Sequence, residues 1–559
     1  MKMKQNILNQ SMTRRQFIRR TAFSSAGIAG AVAFGGPLPN EFGRAATGGE
    51  KKRRKPNVIF IITDDQKLGS FGFLGKKALT PNIDRLANSG VYFSRAYVST
   101  SVCTPSRYTC LTGRYAGRAV NPEFKNATSA EGQTRIGWNT HLVKEALNLP
   151  KVLQQNGYVT GAVGKWHLGG PKLKRIPIDS DPANSGIAKI LKENQEKVCA
   201  HIRKQGFDYA ASIHLTNLKN YPCRALGQHN IEWTVKGGLD FIEQNKDRPF
   251  FLYFATTLLH GPSPLESLKS DPRITTAGLL EKPLKVQPSR QSVLERVKKA
   301  GLPENAAPAT CLDDAVGALM KKLDDMVLME DTLIFYFNDH GVEGGKGSLY
   351  EGGVKTPTFI YWKDRIKSRK CSELIQNTDF APTILEACNI TAPKKMVLDG
   401  KSFVPLLDGK KGKIHDSLFM EIGYTRAVCT KKWKYIAFRI PPSEHISREK
   451  RIALQQRYQR RKLEKDALEK SFEIDKDAPI THLGSVPGGS GTERGNALRH
   501  YAKNYFAPDQ LYDLENDPEE QNNLADSPGY KNVLLEMKSL LKEHLKSVPG
   551  TFGEFKTSL

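Results

Sequence analysis

Cysteine is sparse and acidic residues are in deficit. Eight cysteines in 559 residues, none in a Cys-x-x-Cys pair, exclude both a disulfide-stapled scaffold and a thiolate zinc module. No apolar stretch nears the ~18 residues needed to cross a bilayer, so no membrane span is expected. Glycine (47) and proline (31) are too few for a collagen-like or low-complexity chain. Asp and Glu total 58 against 84 Lys and Arg, a net charge of +26, and such an excess draws nucleic acid, anionic membrane and sulfated polymers alike. Hydrophobic residues (39%) and aromatics (9%) supply enough apolar surface to offset chain entropy, so the chain folds. Its length suits one large domain followed by a smaller one.

The N-terminus reads as an address. Arg14-Arg15-Gln16-Phe17-Ile18 precedes a weakly apolar, Gly- and Ala-rich stretch that closes on small residues at Arg44-Ala45-Ala46. This resembles a twin-arginine export signal over residues 1–46. It implies the twin-arginine translocase as a partner and a periplasmic or secreted location in a bacterium. Export also argues against a nucleic-acid partner. The basic run Lys51-Lys52-Arg53-Arg54-Lys55 follows as a solvated arm.

Beyond it, four short apolar runs each end in ion- or proton-binding groups. Val58 to Thr63 leads to Asp64-Asp65, Tyr158 to Val163 to Lys165 and His167, Phe250 to Ala255 to His260, and Leu333 to Phe337 to Asp339-His340. Apolar runs without alternation mark strands buried on both faces. Helical segments lie between them. Thr80-Pro81 opens one, with Thr as cap and Pro at the first helical position, and Cys311 to Val327 is another. The alternation predicts an α/β domain over residues 47–414, with a large mixed, mostly parallel sheet flanked by helices. Ligands of such sheets collect beyond the carboxyl ends of the strands, so the four polar clusters are expected to share one pocket.

Asp64, Asp65 and Asp339 are hard oxygen donors and His340 adds a nitrogen, a set suited to Ca²⁺ or Mg²⁺. Lys165, His167, His260, Lys346 and Arg107 form a cationic group too large for the metal alone, as a tetrahedral oxyanion, sulfate or phosphate, requires. Lys346 sits in a Gly-rich turn that lacks the spacing of a P-loop. Cys103, two residues before Pro105, is placed at the mouth of a helix, where backbone N–H groups favour an anion. His141, His201 and His229 receive no role; His214 is a candidate to line the cleft.

The element Cys103-x-Pro105-Ser106-Arg107, followed by Leu111-Thr112-Gly113-Arg114, resembles the signature of the type I, formylglycine-dependent sulfatases of the alkaline phosphatase superfamily. Gly164-Lys165-Trp166-His167, Lys346-Gly347-Ser348 through Gly353, and Leu511-Tyr512-Asp513-Leu514 agree with it in order. The resemblance implies that Cys103 becomes formylglycine (3-oxoalanine), made by a formylglycine-generating or anaerobic sulfatase-maturating enzyme, and that its hydrated aldehyde attacks sulfur. It further implies one Ca²⁺ held by Asp64, Asp65, Asp339, His340 and the modified Cys103, with Arg107 stabilising that residue. Lys165 and Lys346 would hold sulfate, His260 would protonate the leaving alcohol, and His167 would assist breakdown of the sulfo-enzyme hemiacetal. His340 stands where the family more often has Asn; a neutral imidazole can replace the amide oxygen, and metal affinity should then fall at acid pH. The substrate class implied is a sulfated carbohydrate. The rivals are a phosphodiesterase or phosphonate hydrolase of the same superfamily, and a silent sulfated-polymer binder if Cys103 stays a thiol.

From His415 the pattern changes. Lys432 to Phe438 alternates like a half-exposed strand, and Val533, Leu534, Met537, Leu540, Leu541, Leu545 and Val548 form one face of a helix. A C-terminal α+β domain over 415–559 is expected, with an antiparallel sheet, that helix and a basic helical insertion at about 444–472. A Gly-rich loop follows at 485–495.

Overall fold

The computed structural model describes residues 55–557, apart from 76, 222, 446, 451–452, 454–499 and 502. The export signal, most of the basic insertion and the 485–495 loop lie outside the described residues. The elements used below are β1 (Asn57–Thr63), α1 (Pro81–Ser89), β2 (Val91–Phe93), α2 (Cys103–Thr112), β3 (Val159–Lys165), β4 (Tyr209–His214), α3 (Ile231–Gln244), β5 (Phe250–Ala255), α4 (Ala307–Asp325), β6 (Thr332–Asn338), β7 (Thr358–Trp362), β8 (Arg369–Cys371), β9 (Leu418–Ile422), β10 (Thr425–Cys429), β11 (Trp433–Phe438), β12 (Asp509–Asp513) and α5 (Lys531–Ser547).

Eight strands form one sheet in the order β8-β2-β7-β6-β1-β5-β3-β4. From β6 through β4 all neighbours are parallel, while β7 runs antiparallel to both β6 and β2. The large sheet is therefore mixed and mostly parallel, as expected. Alternate residues of β1 feed two cores: Val58, Phe60 and Ile62 pack on one face, Ile59 and Ile61 on the other. All seven residues of β1 are buried, which is why its apolar run does not alternate.

Register places the site. Thr63 pairs with Asn338, Ile62 with Ala255, and Gly164 with Ala255. The strands thus end flush, and the residues that follow, Asp64-Asp65, Asp339-His340 and Thr256, emerge along one edge beside Lys165.

Helix starts differ in detail from expectation. Thr80 does not cap α1 with its side chain; it donates to Asp84 Oδ1 at 2.9 Å and accepts from the Gly72 N–H. The N–H groups of Asn82 and Ile83 bond instead to the Asp313 carboxylate of α4, at 3.2 and 2.8 Å. A remote carboxylate does the capping, and helix-start chemistry read locally cannot reveal it. The helix expected from Cys311 begins at Ala307, with Pro308 at its second position.

The second sheet, β9-β10-β11-β12, is antiparallel throughout. Here one expectation fails: β11 is buried over five of its six residues rather than half-exposed. Ile436 faces Tyr97, Val102, Leu349 and Tyr350 of the catalytic portion, while Tyr435 and Ala437 face Met537, Leu541 and Leu545 of α5. Lys434, counted as the wet face from its charge, is buried in ion pairs with Glu351 (2.7 Å) and Glu520 (3.0 Å). No helix among the described residues is long and apolar enough to cross a membrane.

Candidate active site

The flush strand ends, the start of α2 and the loop after β6 bring the ten candidate residues into one neighbourhood. Cys103 is the first residue of α2 and is buried. Its Sγ lies 3.6 Å from Asp64 Oδ1, 3.5 Å from Lys165 Nζ and 3.4 Å from His340 Nε2. Lys165 also pairs with Asp64. Lys346 reaches both oxygens of Asp65, at 2.7 and 2.8 Å. His260 Nε2 stands 3.6 Å from Asp65 Oδ2, and His340 Nε2 stands 3.5 Å from Asp65 Oδ1 and 3.4 Å from Asp339 Oδ1. His167 follows Lys165 with a positive φ of 55°, and its Nδ1 is buried without a hydrogen bond.

Arg107 reaches the site from the next turn of α2. Its Nε and Nη2 donate to Asp339 Oδ2 at 3.1 and 2.9 Å, and its Nη1 donates to the Lys165 carbonyl and to Tyr253 Oη, each at 3.3 Å. The guanidinium braces the far side of the carboxylate, four residues along α2 from Cys103, where a helical turn returns it to the same face. His214, a candidate for the cleft, is 1% exposed and packs edge-on against Trp233. It lines no cleft.

The electrostatics follow from this crowding. Burial works against ionisation of Asp64, yet Lys165, His260, Arg107 and Lys346 outweigh it and hold the carboxyl well below its ordinary range. Asp339 goes the other way: burial and Asp64 push it up to about 7. His340 is disfavoured as a cation by burial, but Asp339 and Cys103 raise it to about 9. Burial, then Lys165 and Arg107, hold His167 well below the usual histidine value, and burial lowers His260, with Lys165 and Lys346 adding to it. Burial and Asp64 raise the Cys103 thiol, but Lys165, Lys346 and His340 bring it below its ordinary value.

A divalent cation fits these donors. Atoms of Asp64, Cys103, Asp339 and His340 all lie within 4.8 Å of one another, as do those of Asp64, Asp65 and His260. Asp339 Oδ1 is buried and accepts no hydrogen bond, so its lone pairs are directed into the cluster without a protein donor. Three carboxylates this close repel one another until a cation compensates them, and their oxygens suit a hard ion.

Several supporting residues escaped the sequence reading. Asn338 accepts from the Gln66 N–H (3.2 Å) and donates to the Gln66 carbonyl (3.1 Å), clamping the turn after β1 to the end of β6. Asn377 donates to Ser106 Oγ at 3.0 Å, and Ser106 donates to the Asp339 carbonyl. His229 donates to the His260 carbonyl at 2.7 Å and fixes that loop. Only Tyr253 carried a signal, as a polar tip inside an otherwise apolar strand.

The sulfatase family model matches residues 56–390, about three-fifths of the chain. The chain belongs to the sulfatase family. Its members are sulfuric ester hydrolases, and the type I, formylglycine-dependent group is the one whose motif this sulfatase carries. A second model, N-sulphoglucosamine sulphohydrolase C-terminal, matches residues 340–445, joining the loop of His340 and Lys346 to the first strands of the second sheet. Human arylsulfatase A is 29% identical, the match covering 68% of this sulfatase and 74% of that protein. The N-acetylgalactosamine-6-O-sulfatase of Bacteroides thetaiotaomicron is 26% identical over 88% of this chain and 93% of that one. A sulfatase solved in complex with its substrate D-glucosamine-2-N,6-O-disulfate shares the fold, with TM-score 0.54 and 18% identity over 89% and 99% of the two chains.

Proposed function

We propose that this sulfatase hydrolyses sulfate esters of a sulfated carbohydrate in the bacterial periplasm or outside the cell, with a formylglycine made from Cys103 and one Ca²⁺. The observation that carries the reading is Cys103 at the head of α2, inside Cys-x-Pro-x-Arg, with carboxylates, lysines and His340 converging on its Sγ. Carbohydrate is favoured by the names of the relatives above, one acting on N-acetylgalactosamine 6-sulfate esters and one bound to a sulfated glucosamine.

Asp64, Asp65, Asp339 and His340 would hold the Ca²⁺, which supplies a Lewis acid for one sulfate oxygen. The hydrated aldehyde of formylglycine supplies the attacking hydroxyl. Lys165 and Lys346 stand at the same centre as point charges for the remaining sulfate oxygens. His260 donates its Nδ1–H to the Gly261 carbonyl at 2.6 Å, which turns Nε2 inward; as the imidazolium, a form that burial disfavours and Asp64 and Asp65 favour, it would pass its Nε2 proton to the leaving alcohol. His167, kept neutral, is a base for the second half of the cycle. Arg107 holds Asp339 in place.

The maturating enzyme must reach Cys103 before folding closes over it, because the residue is buried, and the twin-arginine translocase then exports the folded chain. Mass spectrometry of the Cys103 peptide, together with sulfate release from esters and parallel phosphate esters, tests this. The aldehyde mass with sulfate-selective turnover is expected; an unmodified thiol in active enzyme overturns the formylglycine assignment.

A further inference from the structure

A cavity of about 560 Å³ opens beside the site, in the size range of small-molecule pockets. Asp65, which pairs with Lys346 and faces His260 Nε2, forms one edge. The segment carrying His260 forms one wall through Leu259, Ser263, Pro264 and Leu265. The approach to α4 contributes Pro303, Asn305, Ala306, Pro308 and Ala309, and Lys67 and Lys77 also line it.

Two properties mark it as more than a surface dent. It meets the site at Asp65, 3.6 Å from His260 Nε2, and at Leu259, the residue before His260, which puts it on the side from which an alcohol protonated by His260 would leave. Its charge is also one-sided: among the described lining residues Asp65 is the one acid, and it pairs with Lys346. Among the described residues Lys67 and Lys77 pair with no carboxylate. Of the acids near that turn, Glu343 accepts from the Leu68 N–H at 2.6 Å and Asp84 from the Phe73 N–H at 2.9 Å. Ala78, Pro264, Leu265, Pro303 and Pro308 supply apolar lining that suits the C–H face of a pyranose.

We propose that this cavity is the subsite for the sugar on the alcohol side of the ester, and that it selects a sugar unit bearing a second anionic group, sulfate or carboxylate, placed on Lys67 and Lys77. The inference rests on the sulfatase reading above and specifies its substrate as a di-anionic saccharide.

The test compares the matured wild type with Lys67→Ala/Lys77→Ala on four probes: 4-nitrophenyl sulfate, glucosamine 6-sulfate, glucosamine 2-N,6-O-disulfate, and a uronate-containing disaccharide with one sulfate. Expected is a KM rise of tenfold or more for one or both di-anionic sugars, with kcat changed less than twofold and both mono-anionic probes unaffected. The two di-anionic arms tell a second sulfate from a carboxylate. Equal change on all probes, or none on any, overturns the subsite. If wild type turns over 4-nitrophenyl sulfate but shows no preference for di-anionic sugars, the subsite fails and the sulfatase reading stands. If it releases sulfate from none, that reading fails, and calorimetry of the same sugars decides the subsite: weaker binding to the double variant supports it, equal or absent binding overturns it.

Discussion

Two of the buried clusters of ionisable groups are completed in opposite ways. Between the two sheets, Lys434 lies between Glu351 and Glu520, and Glu351 also takes Tyr97 Oη at 3.1 Å and Lys355 at 3.2 Å. Each carboxylate there has a lysine within 3.2 Å. At the carboxyl edge of the large sheet, Asp64, Asp65 and Asp339 crowd together, and donor atoms of Asp64, Cys103, Asp339 and His340 lie within 4.8 Å of one another. The first cluster is closed on itself and holds two sheets together. The second is open to a ligand: under the proposed function a cation would complete it.

Breaking the closed cluster gives the largest stability effect. Lys434→Met strands two buried glutamates, and loss of one partner of a buried pair costs ~3–5 kcal/mol. Denaturant titration should show a midpoint drop of that size. A drop no larger than that of an exposed lysine variant would mean the triad is solvated and the contrast false.

Breaking the open cluster should act on rate. Asp64→Asn is expected to reduce sulfate release ~10²–10³-fold, the scale of losing one transition-state stabiliser, while its denaturation midpoint stays near wild type. A midpoint falling as far as that of Lys434→Met would merge the two classes. Chelation sharpens the same distinction: EGTA should abolish turnover and, at calcium near 100 times its Kd, remove ~2.7 kcal/mol. Both should return with Ca²⁺, and neither should change further in the Lys434→Met background beyond simple addition.

A smaller effect comes from neutral histidines outside both clusters. Burial lowers His214 to about 3 and His544 to about 4. The unfolded chain therefore takes up protons that the folded one refuses, and stability present above pH ~6.5 is lost as pH falls toward 4. Thermal melts across that window should flatten in the His214→Phe variant. An unchanged slope would assign the acid sensitivity to the site carboxylates instead.

How much of this could be read from the residues depended on the range of the interactions. The four strand ends were legible because a buried parallel strand announces itself in six or seven consecutive residues, and flush register then does the gathering. Cys103 and Arg107 were legible as a pair because the family's motif carries both, and one helical turn separates them. Lys434 was not, because its partners Glu351 and Glu520 are distant in the chain, and a lysine alternating with Trp433 and Tyr435 looks wet until they are known. Capping of α1 by Asp313 and the clamp of Asn338 on Gln66 were hidden for the same reason. The bonds of Arg107 to Asp339 were hidden too, since one-dimensional spacing fixes a face and not an atom.

Strands β11 and β12 are antiparallel neighbours that a two-residue turn could join, yet residues 439–508 run between them. Lengthening a connection costs little, about 0.6 kcal/mol for each doubling, whereas both faces of that sheet are occupied and tolerate no intruder. The connection after Phe438 can therefore vary in length at small entropic cost, while its described ends stay moored, Arg439 to Asp509 and Glu554 and Tyr501 and Tyr505 in the core between the sheets.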